Sequence, residues 1–388
     1  VQLDEVHRFR SAFDPASGLY IRSGILDAAG RDTGKEPFMA SYPHLLDVGV
    51  MGHCDHGRVG LCLAAGVECY QDGLGISQPH MSLQDFARIA AESSGKTYQF
   101  ALGGRGDPDQ HPQFADLLKC CRSHRIVPNF TTSGLGLESW HATVCREYCG
   151  AVAVSWYRSD YTLRALEMLV AAGVRTNIHF VLSGSTVAEA IDLLTGERPL
   201  PTGVNAIVFL LHKPVGLGSQ ANVLRAGDPR VQRFFALATE AEACDGEGAA
   251  AARRTASPRQ RGIKIGFDSC SVPGLLAHRA NFDVRSVDAC EAARYSAYVT
   301  PDMRLVPCSF DQAGRWARDL RCESIEQAWR SSEFEQFRAC LQGACPDCED
   351  RELCLGGCPI CGEITLCASG RRRSAAGGGE VAEGVSTR

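Results

Sequence analysis

The sequence lacks any run of about 18 apolar residues, so no part of it is fit to cross a membrane as a helix. It also lacks the basic, apolar and small-residue zones of a secretory signal. Basic charge is not in excess. Lys and Arg number 40 against 45 Asp and Glu, a net charge of −5, so no global positive field argues for nucleic acid as a partner. Nor is the chain short. Disulfide frameworks occur in chains under about 100 residues, whereas 388 residues leave room for a large domain and a smaller one at roughly 150 residues each.

What the sequence has in abundance is cysteine, 19 in all, with eleven of them between Cys270 and Cys367. In a cytosolic chain, clustered cysteines serve metals more often than disulfides. The usage therefore points to a cytoplasmic protein with a metal-binding C-terminal region.

Along the chain, residues 1–43 have weak periodicity and read as an extended lead-in. Strand signals then follow at 44–51, 98–103, 126–131, 151–156, 176–182 and 206–211. Helical patterns lie between them. Ser82 can cap a helix through Leu83, Phe86 and Ile89, and Asp160 one through Leu163, Leu166 and Leu169 that stops at Gly173. A third runs from Val187 to a stop at Gly196, and Asp228-Pro229 opens a fourth. Cap, apolar stripe and glycine stop come in the expected order. Alternating strands and helices predict an α/β fold of parallel β/α units. Six units with no evident seventh predict a partial (β/α)6 TIM-like barrel over 44–245. Residues 246–265 read as a flexible insertion, 266–369 as a small Cys-rich α+β domain, and 370–388 as a disordered tail.

The first predicted strand runs into a glycine-rich loop that carries Cys54, Cys62 and Cys69, spaced Cys-x7-Cys-x6-Cys. Parallel β/α folds gather their active sites at the C-terminal ends of the strands. Three thiolates there suit a [4Fe–4S] cluster with one iron left open, or alternatively a zinc ion. After the second strand comes Gly103-Gly104-Arg105-Gly106-Asp107-Pro108. Thr132, Ser155, Asn177 and His179 fall at or near the ends of later strands. In the C-terminal region Cys345-x2-Cys348-x5-Cys354-x3-Cys358 puts four thiolates in 14 residues. Such knuckles serve zinc and iron–sulfur clusters alike.

Together these segments resemble the radical S-adenosylmethionine superfamily. Its usual loop is Cys-x3-Cys-x2-Cys with an aromatic before the last cysteine. Here the gaps are longer and Glu68 holds the aromatic's place, while Cys54-Asp55-His56-Gly57 and Cys69-Tyr70 keep the flanking pattern. The Gly103–Asp107 turn is similar to the family's Gly-Gly-Glu-Pro motif, which holds the methionine amino group of the cofactor. The resemblance makes Gly103, Gly104, Gly106 and Asp107, with Thr132, Ser155, Asn177 and His179, candidate cofactor contacts. His212, Lys213 and the Gly216-Leu217-Gly218 turn follow the sixth strand, where the family often closes over the adenine. The C-terminal run is similar to the SPASM domain, with Cys290 and Cys308 as its upstream pair and Met303 where that domain has glycine. By that resemblance one auxiliary cluster uses Cys270, Cys290, Cys308 and Cys358. A second uses Cys345, Cys348, Cys354 and either Cys367 or Cys361. Cys340 is a spare, and Cys120, Cys121, Cys145, Cys149, Cys244 and Cys322 read as structural.

The resemblance implies S-adenosylmethionine and [4Fe–4S] clusters as cofactors. It implies a 5′-deoxyadenosyl radical that abstracts hydrogen from substrate, with Cys54, Cys62 and Cys69 at the catalytic centre. A peptide or protein that is crosslinked or oxidised is the expected substrate. A sugar or alcohol dehydrogenase, or a non-enzymatic iron–sulfur or zinc protein, are the alternatives. An electron donor such as flavodoxin or ferredoxin is implied. The lead-in is short for a leader-recognition domain, so a separate recognition protein, or direct docking to the barrel, is also expected.

Overall fold

The computed structural model describes residues 1–64, 68–240, 257–258, 262–364 and 366–367. The lead-in forms a small antiparallel sheet, which corrects its reading as an extended segment. Its strands are β1 (Gln2–Asp4), β2 (Phe9–Phe13) and β3 (Tyr20–Arg22) in that order. Strands of three to five residues are too short to display the two-residue alternation that marks a strand in sequence. Phe9, fully buried, packs its ring edge-on to Tyr295 at 6.2 Å. Arg22 lies 4.1 Å over the same ring and pairs with Glu36 at 2.7 Å and with Asp288. The sheet is thus latched onto a segment nearly 300 residues away.

The main sheet contains β4 (Leu45–Met51), β5 (Gln99–Gly104), β6 (Val127–Thr132), β7 (Val152–Ser155), β8 (Thr176–Leu182), β9 (Ala206–Leu211), β10 (Lys264–Phe267), β11 (Ser296–Val299), β12 (Arg304–Val306) and β13 (Arg318–Asp319). Its order is β10-β9-β8-β7-β6-β5-β4-β11-β12-β13. From β4 to β10 every neighbour is parallel. The six expected strands are present, and β10 is a seventh. It was hidden by its shortness, by Gly266 and by the polar stretch before it. Lys264 and Ile265, assigned above to the 246–265 insertion, open this strand. Most of that insertion and all of the 370–388 tail lie outside the described residues. On the other side, β11 pairs parallel with β4, and β12 and β13 continue antiparallel.

Helices cover the outside of the barrel. After the short α1 (Asp55–Arg58) and α2 (Leu61–Ala64) come α3 (Leu83–Ser93), α4 (Phe114–Ser123), α5 (Ser139–Tyr148), α6 (Asp160–Ala171), α7 (Val187–Thr195) and α8 (Pro229–Thr239). The C-terminal region adds α9 (Val272–Leu276), α10 (Ile325–Trp329), α11 (Ser332–Gln342) and α12 (Arg351–Cys354). Ser82 caps α3 as its sequence predicts, accepting from Asp85 N at 3.1 Å. At α6 the cap is Ser159, one residue before the predicted Asp160, which lies in the first turn where a carboxylate also suits the dipole. No helix of the described residues is long and apolar enough to cross a membrane.

Alternation along each strand decides what faces where. Leu46, Val48, Phe100, Val152, Ile178, Ile207 and Phe209 point at the helices and are fully buried. Each contributes about 1.5–3 kcal/mol by leaving water. The alternate residues, among them Asp47, Gln99, Asn129, Thr131, Ser155, Asn177 and His179, are half-buried and line a polar interior. Near its base the amides pair. Asn129 Nδ2 donates to Gln99 Oε1 at 2.9 Å, and Asn205 Nδ2 to Asn177 Oδ1 at 2.7 Å.

Candidate functional site

At the C-terminal end of β4 the chain turns sharply at Gly52. A Cβ there would stand 2.1 Å from Pro79 O, so only glycine passes. Cys54 follows as the cap of α1, 8% exposed, and its sulfur accepts from Gly57 N at 3.1 Å. Cys62 lies in α2, and Cys69 follows before a tight turn. The loop folds so that Cys54 Sγ and Cys69 Sγ lie 3.7 and 3.8 Å from where a Cβ on Gly73 would be. Burial pushes the Cys54 thiol up, and the neighbouring Asp107 and Cys69 add to it. Burial, with Cys54 and Cys69 beside it, pushes Cys62 up to about 11. Three converging thiols, of which burial holds Cys54 and Cys62 against ionisation, form a donor set that a strongly positive group must complete. An iron–sulfur cluster, which binds thiolates, fits it. Among the described residues no three His, Cys, Asp or Glu side chains close round one point as a single metal ion requires.

Glu68 fastens this loop. Its carboxylate accepts from Ser219 N at 2.8 Å, Ser219 Oγ at 2.9 Å and Asn222 Nδ2 at 2.9 Å. Leu217 N donates to Cys69 O at 2.9 Å, and a Cβ at Gly216 (φ 60°) would stand 2.3 Å from Tyr70 O. The loop after β9 therefore lies directly on the third cysteine. In sequence Glu68 was only a departure from an aromatic. Its role could not be read there because its partners are about 150 residues away.

The Gly103–Asp107 turn lies against the same loop. Gly104 (φ 112°) would carry a Cβ 2.4 Å from Met51 O, and Gly106 (φ 123°) one 2.9 Å from His53 O and 3.3 Å from Cys54 Cα. Both positions need glycine for conformation and for space, while Gly103 is unconstrained. Asp107 accepts from Ser133 Oγ at 2.5 Å and lies 3.4 Å from His56 Nδ1. The Asp107 carboxylate beside it holds the His56 imidazole above its ordinary pKa. Thr132, fully buried, uses its hydroxyl on Gly134 N at 2.9 Å. It shapes the turn, and Ser133 beside it is the residue that reaches the site.

Ser155 and His179 line one cavity together with Glu68, Tyr157, Arg158 and His212. Burial lowers His179 to about 4, so it is neutral near pH 7, and its Nδ1 lies 3.2 Å from Thr131 Oγ1. Tyr157, which the sequence did not single out, lies beside Cys62 and acts against the rise of its thiol. Asn177 is not brought to this cavity. It lies low on β8, in the amide layer with Asn205.

In the C-terminal region the thiols fall into two groups. Burial pushes Cys308 up, and Cys290, Cys358 and Cys270 act on it in turn. Cys270 pulls the Cys358 thiol down, but Cys361 and burial together prevail and push it up to about 12. Burial likewise raises Cys354, with Cys367 and Cys345 acting on it. Of the two alternatives for the second group, Cys367 therefore stands by Cys354, while Cys361, 2% exposed, stands by Cys358. Cys348 shares the turn, its N donating to Cys345 O at 3.1 Å. Cys340 lies on α11 and Cys322 is exposed. Cys120, Cys121 and Cys145 lie on the outer helices α4 and α5, and Cys149 ends α5. Cys244 lies outside the described residues.

Residues 290–354 match the SPASM family, described as an iron-sulfur cluster-binding domain. The match takes in Cys290, Cys308, Cys345, Cys348 and Cys354. No curated protein matches the chain. Among solved structures it is similar to Streptococcus suis SuiB bound to S-adenosylmethionine, at 14% identity and a TM-score of 0.61, over 83% of this chain and 74% of that one. SuiB bound to the precursor peptide SuiA gives 13% identity and 0.60, over 83% and 73%. It is also similar to anSMEcpe with bound AdoMet, at 14% identity and 0.57, over 83% and 91%. At such identities the likeness establishes the fold alone, a partial parallel barrel followed by the region matched to SPASM.

Proposed function

We propose that this chain is a radical S-adenosylmethionine enzyme that modifies a peptide or protein substrate. The observation that carries the reading is the convergence of Cys54, Cys62 and Cys69 on the Gly103–Asp107 turn at the barrel mouth. Cys54, Cys62 and Cys69 would hold a [4Fe–4S] cluster, and three thiolates leave one iron for a further ligand. When bound there, S-adenosylmethionine supplies a 5′-deoxyadenosyl radical that takes a hydrogen atom from substrate. Gly104 and Gly106 let the backbone approach closely, and Asp107, oriented by Ser133 and His56, offers a carboxylate to an ammonium group. Tyr157 stands beside Cys62, and the Glu68 clasp keeps Cys69 in place. The lumen-facing polar residues give a substrate side chain hydrogen-bonding partners below the mouth.

Two observations support a peptide substrate. SuiB and anSMEcpe, which share the fold, were each solved with a peptide bound, and the residues matched to SPASM lie beside the mouth. A reduced flavodoxin or ferredoxin would supply the electron, and a separate protein would present the peptide.

The test is anaerobic reconstitution followed by reduction with S-adenosylmethionine present. Roughly twelve irons per chain are expected, four for each of three clusters, together with 5′-deoxyadenosine. The double variant C54A/C62A should lose about four irons and all cleavage. Cleavage that persists in that variant overturns the assignment. A peptide encoded beside this gene that gains no new bond or oxidation, while a sugar or alcohol is oxidised, overturns the peptide reading alone.

A further inference from the structure

The barrel sends one buried cation towards the C-terminal thiols. Lys213, just beyond β9, is 6% exposed. Among the described residues its ammonium has one hydrogen-bond partner, Asp268 Oδ2. Asp268, at the end of β10, is itself fixed. Its Oδ2 also accepts from Leu211 N at 3.0 Å, and its Oδ1 from Ser271 Oγ at 2.9 Å. An ammonium has three donors, so this one has capacity beyond its pair. It lies 4.7 Å from the centre of the Phe310 ring, two residues past Cys308, and its charge acts on both Cys270 and Cys308. At Cys270 the pull of Lys213 outweighs the push of Asp268. Phe310 in turn packs on Tyr70 at 4.8 Å, and Tyr70 follows Cys69. The lysine therefore stands where the two cysteine regions meet.

We propose that Lys213, with Asp268 as its counter-ion, raises the reduction potential of the cluster held by Cys270, Cys290, Cys308 and Cys358, fitting that cluster to accept the substrate's electron. The inference rests on the reading that these thiols hold an iron–sulfur cluster. Reduction adds one negative charge to a thiolate-ligated cluster in a poorly screened interior. A neighbouring cation stabilises the reduced state and a neighbouring carboxylate opposes it. Forming a new bond from C–H and X–H removes two hydrogens from the substrate. One leaves as a hydrogen atom to the deoxyadenosyl radical. The other would leave as a proton to water and an electron, which the oxidised auxiliary cluster held by these thiols would take up.

The experiment is a mediator-controlled redox titration of the reconstituted full-length protein, followed by EPR with no substrate present. The relevant signal is the one that Cys308→Ala removes. Lys213→Met should move its midpoint to lower potential and Asp268→Asn to higher, with the other signals unmoved. Lys213→Arg, which keeps the charge, should stay near the wild type. A structural lesion has no reason to give opposite signs. Shifts of the same sign, no shift with iron retained, or loss of iron from Lys213→Arg as well as Lys213→Met overturn the proposal. If the wild type shows no signal that Cys308→Ala removes, the cluster reading itself fails, a distinct outcome.

Discussion

Consider the replacement Glu68→Gln. The native carboxylate accepts three hydrogen bonds, two from Ser219 and one from Asn222, and His212 Nε2 lies 3.5 Å away. A glutamine must put its NH2 towards one of these donors. The least costly orientation turns it to Ser219 N, which loses one bond and leaves two donors facing each other. The other two bonds survive but lose their charge. Bonds to a charged group are each worth about 1.5–3 kcal/mol and neutral ones about 0.5–1.5. The gross loss is then roughly 3.5–6 kcal/mol. Glu68 is 25% exposed, so solvent screening reduces this to about 2 kcal/mol. That loss opens the clasp about 30-fold more often, since 1.4 kcal/mol is about a factor of ten.

The cluster-free protein reports this directly. Leu217 N–H bonds Cys69 O across the clasp, so its hydrogen exchange should speed up about 30-fold, while amides in β6 and β7 stay unchanged. In the reconstituted protein a chelator should strip the first cluster faster and spare the others. The pH dependence has a definite sign. Burial of Glu68 raises its pKa, but the bonds from Ser219 and Asn222 prevail and hold it below the ordinary value of 4.5. A depressed carboxylate stabilises fully above its unfolded pKa, and that share is lost as pH falls through the folded value. The exchange difference between wild type and Glu68→Gln should therefore be constant near pH 7 and shrink only at pH below 4.5, as the folded carboxylate takes up its proton. Equal exchange of Leu217 in both proteins at neutral pH refutes the clasp.

Two further outcomes test the reading of departures. Met303 has φ 65° but is only 3% exposed. Met303→Gly relieves roughly 1–2 kcal/mol of left-handed strain and forfeits about 2–5 kcal/mol of packing. Urea melts should thus show a net loss of about 1–3 kcal/mol, and a stabilised glycine variant would mean that the side chain packs less than its burial indicates. Asn177→Ala strands the Asn205 amide and should cost about 1–3 kcal/mol in stability. Its affinity for S-adenosylmethionine, measured by calorimetry on the reconstituted protein, should stay within about twofold of the wild type, and a larger loss would return Asn177 to the cofactor site.

What was legible in sequence was local. The strands at 176–182 and 206–211 coincide with β8 and β9, and the other four barrel strands agree to within a residue or two. Helix signals at Ser82, Asp228 and Gly196 act where their chemistry is needed. Contacts between remote residues were not legible. Strand β11 is four residues long and is a strand because β4 offers it an edge. Asn177 and His179 are alike on paper, both lumen-facing on β8, and two residues along the strand separate the amide layer from the cavity. Ser133 and Thr132 differ by one position, and alternation decides which reaches Asp107.

The C-terminal region is part of the barrel wall rather than an appendage to it. β11 pairs with β4 over Leu45 to Val48, on the strand that delivers Cys54. A Cβ at Gly49 would stand 2.4 Å from Tyr298 Oη, so the bare glycine leaves room for the tyrosine hydroxyl from β11. Trp329 Nε1 donates to Ala40 O at 3.0 Å, just before β4 begins. Arg338, held by Ala293 O at 2.6 Å and Trp329 O at 2.8 Å, ties α11 to the same seam. Cutting the chain at 266 would leave β4 with an unpaired edge and strip the apolar cover from the start of the first strand. The same pairing gives the Cys308 group a fixed position relative to the mouth, because Cys308 leaves β12 two residues after Val306, and β12 is one strand from β11 and two from β4. The distance between the two thiol groups is therefore set by backbone hydrogen bonds, which a flexible linker between separate domains would not provide.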